Sequence, residues 1–240
     1  MVKIRRPHDA ALLQLLESHP EISLTDEASP PGRLVFDSGS ERIIIFEGEF
    51  GEESGLAELA DNNPWVCAKS VAVPPAASTL CTIALGPLAR AGLIADAPAI
   101  QLSFQPEKNL SAWLQNLHIN EFALHVDLND LGHVVAANVM CEIPHSQNPS
   151  EIDDLFDECF GRSFYVRSAG HAVWDTELVA GQPHAVYNLR LTPGDDRDLL
   201  TIQVMADRHG KCGAAQVVHA FNIMEGFEES LGIHSNAVVR

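Results

Sequence analysis

Basic residues are scarce in this sequence of 240 residues, in which 15 Lys and Arg stand against 33 Asp and Glu. The formal net charge is therefore −18 at pH 7. A chain this acidic is repelled by phosphate backbones and by anionic lipid surfaces, which excludes unspecific binding driven by charge. We therefore predict neither a nucleic-acid partner nor a membrane partner.

Long apolar runs are also missing. The longest candidate runs from Thr79 to Ile94, and it is interrupted by a glycine, a proline and an arginine. A bilayer-spanning helix needs about 18 consecutive apolar residues. The first residues lack the apolar stretch of a signal peptide. Hydrophobic residues still make up 46% of the chain, which is enough for one large domain or two small ones.

Paired cysteines are absent as well. The five cysteines are Cys67, Cys81, Cys141, Cys159 and Cys212. Their number is odd and no two of them form a CxxC pair, which excludes a disulfide framework and a zinc ribbon. The histidines of the second half form neither an HExxH motif nor a pair at i, i+4 spacing. We predict reduced thiols, a cytoplasmic location and no metal site.

Hydrophobic periodicity predicts strands and helices in mixed order. Helices are predicted at 9–18, from about 78 to 91, and at 110–117, 151–160 and 213–225. Strands are predicted at 42–46, 71–73, 99–104, 186–191 and 199–205, with an extended piece from 22 and a pair of strands at 122–127 and 133–143. Residues 186–205 are predicted to form a hairpin. The order indicates an α/β start followed by an α+β region.

The clearest motif lies near the C-terminus, where residues 207–224 read DRHGKCGAAQVVHAFNIM. This segment resembles the signature DNLVKGAAGQAVQNMNLM of the N-acetyl-γ-glutamyl-phosphate reductases, which belong to the semialdehyde dehydrogenase superfamily. The shared positions that we assign to a vestigial cofactor site are Lys211, Gly213, Ala214, Gln216 and Asn222. Residues 10–22, 78–94, 122–125 and 228–233 are similar to further family motifs and occur in the same order.

The resemblance implies a shortened and divergent family member of the α/β plus α+β class. Residues 1–94 would form a reduced Rossmann-like layer that the C-terminal segment 212–240 completes. Residues 95–211 would form the α+β dimerisation domain, with an antiparallel sheet and helices on one face. The family pairs through this sheet, and the apolar strand 134–140 needs cover on both faces. We therefore expect a homo-oligomer, most simply a two-fold dimer.

Family members reduce an acyl phosphate. A cysteine thiolate attacks the acyl carbon and expels phosphate, and NADPH then delivers hydride to the thioester. A histidine manages protons, and a glycine-rich turn holds the cofactor pyrophosphate.

The cysteine, the histidine and the glycine-rich turn of the family are missing or displaced in this sequence. The family motif NPGCYPT falls on VPPAAST at 73–79, which places Ala76 at the position of the nucleophile. Cys81 and Cys67 are the alternative thiols, and His118 and His125 are the remaining candidates for proton transfer. The glycine-rich loop is absent between the first strand and the first helix, and residues 105–109 replace a second glycine-rich loop.

Two hypotheses remain open. The favoured one is a catalytically degenerate protein that needs no cofactor and binds to itself, to an active paralogue, to another protein or to a small acidic metabolite. The alternative is an active NADP-dependent reductase of an acyl phosphate or semialdehyde, of the kind found in arginine biosynthesis, that uses a non-equivalent cysteine.

Overall fold

A computed structural model describes residues 1–60, 64–145 and 150–233. The described residues form a mixed α/β protein with two six-stranded mixed sheets and five α-helices. Of the predicted C-terminal segment 212–240, residues 234–240 lie outside the described part of the chain. None of the helices in these ranges is long and apolar enough to cross a membrane.

The first sheet has the strand order β2-β1-β3-β4-β6-β5. Its strands are β1 (Val2–Arg6), β2 (Ile22–Ala28), β3 (Arg33–Asp37), β4 (Glu41–Ile45), β5 (Glu53–Ser54) and β6 (Ser70–Ala72). β3 runs antiparallel to its neighbours β1 and β4, and the remaining pairs are parallel. The layer is thus larger than the sequence predicted, because β3 and β5 were not foreseen.

Two helices pack on one face of the first sheet, α1 (Ala10–Glu17) and α5 (Ala214–Glu225). α1 begins where Asp9 accepts a hydrogen bond from the backbone N–H of Leu12, at 2.7 Å. α5 ends at Gly226, whose φ of +68° lies in the left-handed region that favours glycine. Both helices were predicted from their apolar periodicity and are confirmed.

The second sheet has the order β10-β11-β12-β9-β7-β8. Its strands are β7 (Ala99–Leu102), β8 (Ala123–Val126), β9 (Val134–Pro144), β10 (Val166–Ser168), β11 (Ala185–Thr192) and β12 (Arg197–Asp207). The predicted hairpin is confirmed, since β11 and β12 pair from Thr192 opposite Leu199. The two strands predicted at 122–127 and 133–143 are confirmed as β8 and β9, but they are not neighbours in the sheet, because β7 lies between them.

The helices of the second core are α2 (Ala76–Arg90), α3 (Leu110–Asn116) and α4 (Ser150–Phe160). α2 packs against β9 and β12, although the predicted boundary at residue 94 groups it with the first layer. It begins at Ala76, two residues before the predicted start. Pro75 is its N-cap residue, and its extended backbone lets the helix start directly after the prolines.

The face of the second sheet opposite α2 is only partly covered within this chain. Along β9, Val135, Ala137 and Val139 are buried under the helices. The alternate residues Asn138 and Met140 point to the other face, where the Met140 side chain is 38% exposed. The expected cover on both faces is therefore incomplete in the single chain.

Candidate functional site

The first sheet positions a cleft at the carboxyl ends of its strands. β1, β4 and β6 run in the same direction, so their carboxyl ends meet at one edge, where α1 and α2 also begin. Ligands of open α/β sheets bind at this edge. The cleft has a volume of about 300 Å³. It is lined by Asp9, Leu12, Phe46, Glu47, Val73, Pro74, Pro75, Ala76, Arg208, His209, Cys212, Gly213, Ala214, Gln216 and Val217.

The cleft brings together four residues that the sequence singled out, namely Ala76, Gly213, Ala214 and Gln216. Ala76 is the first residue of α2, and its side chain is a methyl group that cannot act as a nucleophile. The thiol beside it belongs to Cys212, whose Sγ lies 3.8 Å from the carbonyl oxygen of Ala76. The sequence did not predict this contact, which joins residues 136 positions apart.

Cys212 is poorly suited to replace a nucleophile. Its side chain is buried, and burial raises the pKa of the thiol well above its ordinary range, with a further rise from the Glu107 carboxylate. The thiol is therefore protonated at neutral pH, whereas nucleophilic cysteines depend on a lowered pKa.

The other candidate residues lie outside the lining of the cleft. Cys81 is fully buried within α2, and burial strongly raises the pKa of its thiol. Cys67 is exposed after the short helical turn Pro64–Val66. His118 is exposed in the turn after α3, and His125 is exposed on β8. The structure therefore brings none of these four residues to the position of Ala76.

The N-terminus of α2 is occupied by a carboxylate of the chain itself. Glu107 accepts hydrogen bonds from the backbone N–H groups of Ala77, at 3.2 Å, and Ser78, at 2.7 Å. It also accepts one from the hydroxyl of Ser78. Backbone N–H groups at a helix N-terminus are the usual ligands of phosphates and carboxylates. Here an internal carboxylate takes the place that an external anion would fill.

The other two helix starts at the cleft are engaged in a similar way. Asp9 occupies the start of α1. At the start of α5, the backbone N–H groups of Ala215 and Gln216 donate to the carbonyl oxygens of His209 and Gly210, at 3.0 and 3.3 Å. Because these N–H groups are engaged, few main-chain donors remain at the cleft to bind the pyrophosphate of a dinucleotide.

Gln216 and Gly213 hold α5 close to the rest of the cleft. The side-chain NH2 of Gln216 donates to the carbonyl oxygen of Pro74, at 2.8 Å, and to Oγ1 of Thr79, at 3.2 Å. A Cβ at Gly213 would overlap the carbonyl oxygen of Arg208, so this close approach requires glycine. Both residues thus have a structural task that is independent of any cofactor.

Asn222 and Lys211 are turned to other partners. The side-chain NH2 of Asn222 donates to the carbonyl oxygens of Glu229 and Leu231, at 3.0 and 2.8 Å. Lys211 forms a buried ion pair with Glu58, with Nζ 2.7 and 2.9 Å from the two carboxylate oxygens. Burial alone would raise the pKa of Glu58, but Lys211, helped by His219, holds that pKa below its ordinary value.

Among residues 1–60, 64–145 and 150–233, no three His, Cys, Asp or Glu side chains are grouped so that they could hold a metal ion. No family model matches the chain, and no curated protein matches it either. The fold and the cleft together define a mixed α/β protein with a ligand-sized opening at the carboxyl edge of its first sheet.

Proposed function

We propose that this chain is a catalytically inactive relative of the N-acetyl-γ-glutamyl-phosphate reductases that acts through binding and self-association. The observation that carries the proposal is the contact of Ala76 with a buried thiol at Cys212, whose pKa is raised by burial. Such a site cannot form the thioester on which the family reaction depends. The first sheet, with five of its strands parallel, serves as the reduced Rossmann-like layer, and the second sheet serves as the dimerisation domain.

No cofactor is required for this function. The carboxylates of Asp9 and Glu47 line the cleft and that of Glu107 holds the start of α2, so together they disfavour a further negative group there, opposed by the single guanidinium of the described lining, Arg208. To bind a cofactor phosphate at the start of α2, an NADP-dependent reductase would need to displace Glu107. As its nucleophile it would need a thiol elsewhere, such as the exposed Cys67. The five cysteines are all free thiols, which suits a reducing compartment such as the cytoplasm.

The purified chain is expected to show no NADPH formation with N-acetylglutamate semialdehyde, phosphate and NADP. The covalent route is missing at Ala76. General acid–base catalysis, typically worth about 10²–10⁴-fold in rate, cannot supply the missing thioester, although His209 lines the cleft. Absorbance at the nicotinamide band measures the reaction directly. The Ala76→Cys variant is expected to remain inactive, because it restores one missing part only.

Turnover by the wild-type chain would contradict this proposal. The Cys67→Ser, Cys81→Ser and Cys212→Ser variants would then identify the thiol responsible, since loss of the activity in one of them would reveal the alternative nucleophile.

Self-association is proposed to use the incompletely covered face of the second sheet. Side-chain amides form a row across four neighbouring strands at this face, because Gln101 pairs with Asn138, Asn138 with Gln203, and Gln203 with Asn188. Within the described residues, the Asn138 side-chain oxygen is buried without a hydrogen-bond partner. Met140 follows Asn138 on this face of β9, Leu199 of β12 lies diagonal to Met140, and each is 38% exposed. A second copy of the same face would supply both apolar cover and amide donors.

A two-fold dimer is therefore expected by light scattering at micromolar concentration. The double variant Met140→Glu and Leu199→Glu is expected to be monomeric, because it would bury two carboxylates in a sheet-to-sheet contact. Phe164→Glu is the matched control, since Phe164 is 65% exposed but lies outside this face. A monomeric wild type would contradict self-association and favour a paralogue as the partner.

A further inference from the structure

One outer edge of the second sheet is a strand whose apolar side chains contact solvent. β8 ends the strand order, and among the described residues it pairs with β7 alone. Leu124 in this strand is 43% exposed, and Leu128 shortly after it is 71% exposed. By contrast, the edge strands β5 and β10 have only two and three residues, and the edge strand β2 carries the exposed charges of Asp26 and Glu27. β8 is thus the edge at which exposed leucines accompany an open backbone.

The backbone of β8 offers hydrogen-bonding groups to a further strand. The N–H groups of Ala123 and Asp127 donate to carbonyl oxygens on the β7 side, at 3.0 and 2.9 Å. Successive residues of a strand direct their backbone groups alternately to its two sides. The N–H and C=O groups of Leu124 and Val126 are therefore directed away from β7, where the described chain places no strand. Groups in this arrangement bind the backbone of an extended peptide.

One face of β8 continues the apolar face of the second core. Leu124 lies opposite Ile100, and Val126 lies opposite Leu102. Ile100 and Leu102 are buried in that core, so Leu124 and Val126 extend the same face of the sheet to its edge. An added strand would cover the exposed part of Leu124 with an apolar side chain of its own.

The other face of β8, together with the loop after it, is acidic. His125 lies opposite Gln101 on the open face of the sheet, and Asp127 and Asp130 line a groove on that face. No Lys or Arg occurs from residue 119 to residue 132, and none is among the described residues that line the groove. A basic side chain of an added strand would therefore meet carboxylates of complementary charge.

We propose that β8 is a docking edge for an extended segment of another protein in which apolar residues alternate with lysine or arginine. The backbone of the segment bonds to Leu124 and Val126, its apolar side chains pack on Leu124, and its basic side chains face Asp127 and Asp130. Charge favours such a segment over a second copy of this chain, because a copy would bring the same carboxylates to the edge. The edge lies outside the amide row proposed for self-association, so the two contacts are independent.

The test uses a short labelled peptide in which lysine alternates with valine, and fluorescence anisotropy measures its binding. The wild-type chain is expected to bind this peptide saturably. The same peptide with every backbone nitrogen methylated keeps the charges and the side chains but loses its donors, so it is expected to bind at least about fivefold more weakly. A peptide in which glutamate alternates with valine is expected not to bind.

Substitutions in the edge test the two faces of the contact. Val126→Pro removes one outward N–H and is expected to weaken the lysine–valine peptide at least about fivefold, whereas the matched control Val126→Thr keeps the N–H and should bind within about twofold. Asp127→Asn with Asp130→Asn is expected to weaken it about threefold at low salt. Asp195→Asn with Asp196→Asn, in the exposed turn after β11, changes the net charge equally and should have no effect.

Circular dichroism and the unfolding midpoint verify that Val126→Pro is folded, and the methylated peptide repeats its test on the unaltered chain. Absence of binding by the lysine–valine peptide, or equal binding of its methylated form, would overturn the proposal. Dissociation of a wild-type dimer by Val126→Pro would also overturn it, because a second copy would then occupy the edge. The Met140→Glu and Leu199→Glu double variant should bind the peptide as the wild type does, so a failure of the edge and a failure of the proposed dimer are distinguished.

Discussion

Replacing Lys211 by Met is expected to destabilise the protein by about 3–5 kcal/mol, which is the usual cost of removing one partner from a buried ion pair. The Lys211 and Glu58 side chains are 1% and 5% exposed, so water cannot replace the lost ammonium. The hydroxyl of Ser163 also donates to Glu58, at 3.3 Å, but a neutral donor cannot balance the carboxylate. Urea unfolding followed by tryptophan fluorescence measures the effect.

Two controls separate the ion pair from general effects of the substitution. Lys108→Met removes an exposed ammonium and is expected to change the free energy of unfolding by less than about 0.5 kcal/mol. The double variant Lys211→Met with Glu58→Gln removes both charges and should recover most of the lost stability. Equal stability of Lys211→Met and Lys108→Met would show that the buried pair contributes nothing.

The same pair gives a direction for the pH dependence. Burial raises the folded-state pKa of Glu58, but Lys211 and His219 together outweigh it, so that pKa is lowered. Its stabilising contribution is therefore complete above the unfolded-state pKa, about 4.3, and is lost as the pH falls through the lowered folded-state value. In Lys211→Met, the ammonium of Lys211 no longer opposes the effect of burial on the pKa of Glu58. Protonating Glu58 then removes the free-energy cost of a buried carboxylate that has lost its cationic partner. The difference in stability between wild type and variant should shrink in acid.

Local sequence patterns predicted most of the fold. α1, α5 and the β11–β12 hairpin carry regular apolar spacing over eight or more residues, and all three were found close to the predicted bounds. β5 escaped prediction because it has only two residues, too few for a pattern. β3 carries an apolar run at 34–36 that is as long as the run which predicted β6, and it was overlooked beside the loop at 30–32. The place of β7 between β8 and β9 also escaped, because strand order depends on pairing across the sheet.

The candidate site was predicted only in outline. The family resemblance predicted that Ala76 and the start of α5 belong to one site, and both line the cleft. Glu107, however, reaches Ser78 across 29 positions, and Glu58 reaches Lys211 across 153. Such long-range polar pairs leave no periodic trace in the chain, so their partners become visible only when the two sheets are assembled.

A single arginine of β4 connects the first sheet to α5. Arg42 donates through Nε and through both terminal nitrogens, and its side chain is 11% exposed. It reaches the carbonyl oxygen of Met224 at 2.7 Å, the carboxylate of Glu225 at 3.0 Å and the carbonyl oxygen of Trp65 at 2.8 Å. The last turn of α5 and the turn Pro64–Val66 thus share one guanidinium as their donor.

Arg42→Leu is therefore expected to cost about 3–5 kcal/mol, because it leaves several carbonyl oxygens without this donor and the buried Glu225 carboxylate without its cationic partner, although the Ser38 hydroxyl still donates to that carboxylate at 3.0 Å. Arg42→Lys should recover part of this loss, since one ammonium retains the charge but cannot span acceptors on both sides as the planar fork does. Arg6→Leu is the matched control, because Arg6 is 53% exposed and pairs with the surface residue Glu17. If Arg42→Leu unfolds at the same urea concentration as Arg6→Leu, then α5 is held to the sheet by its apolar face alone.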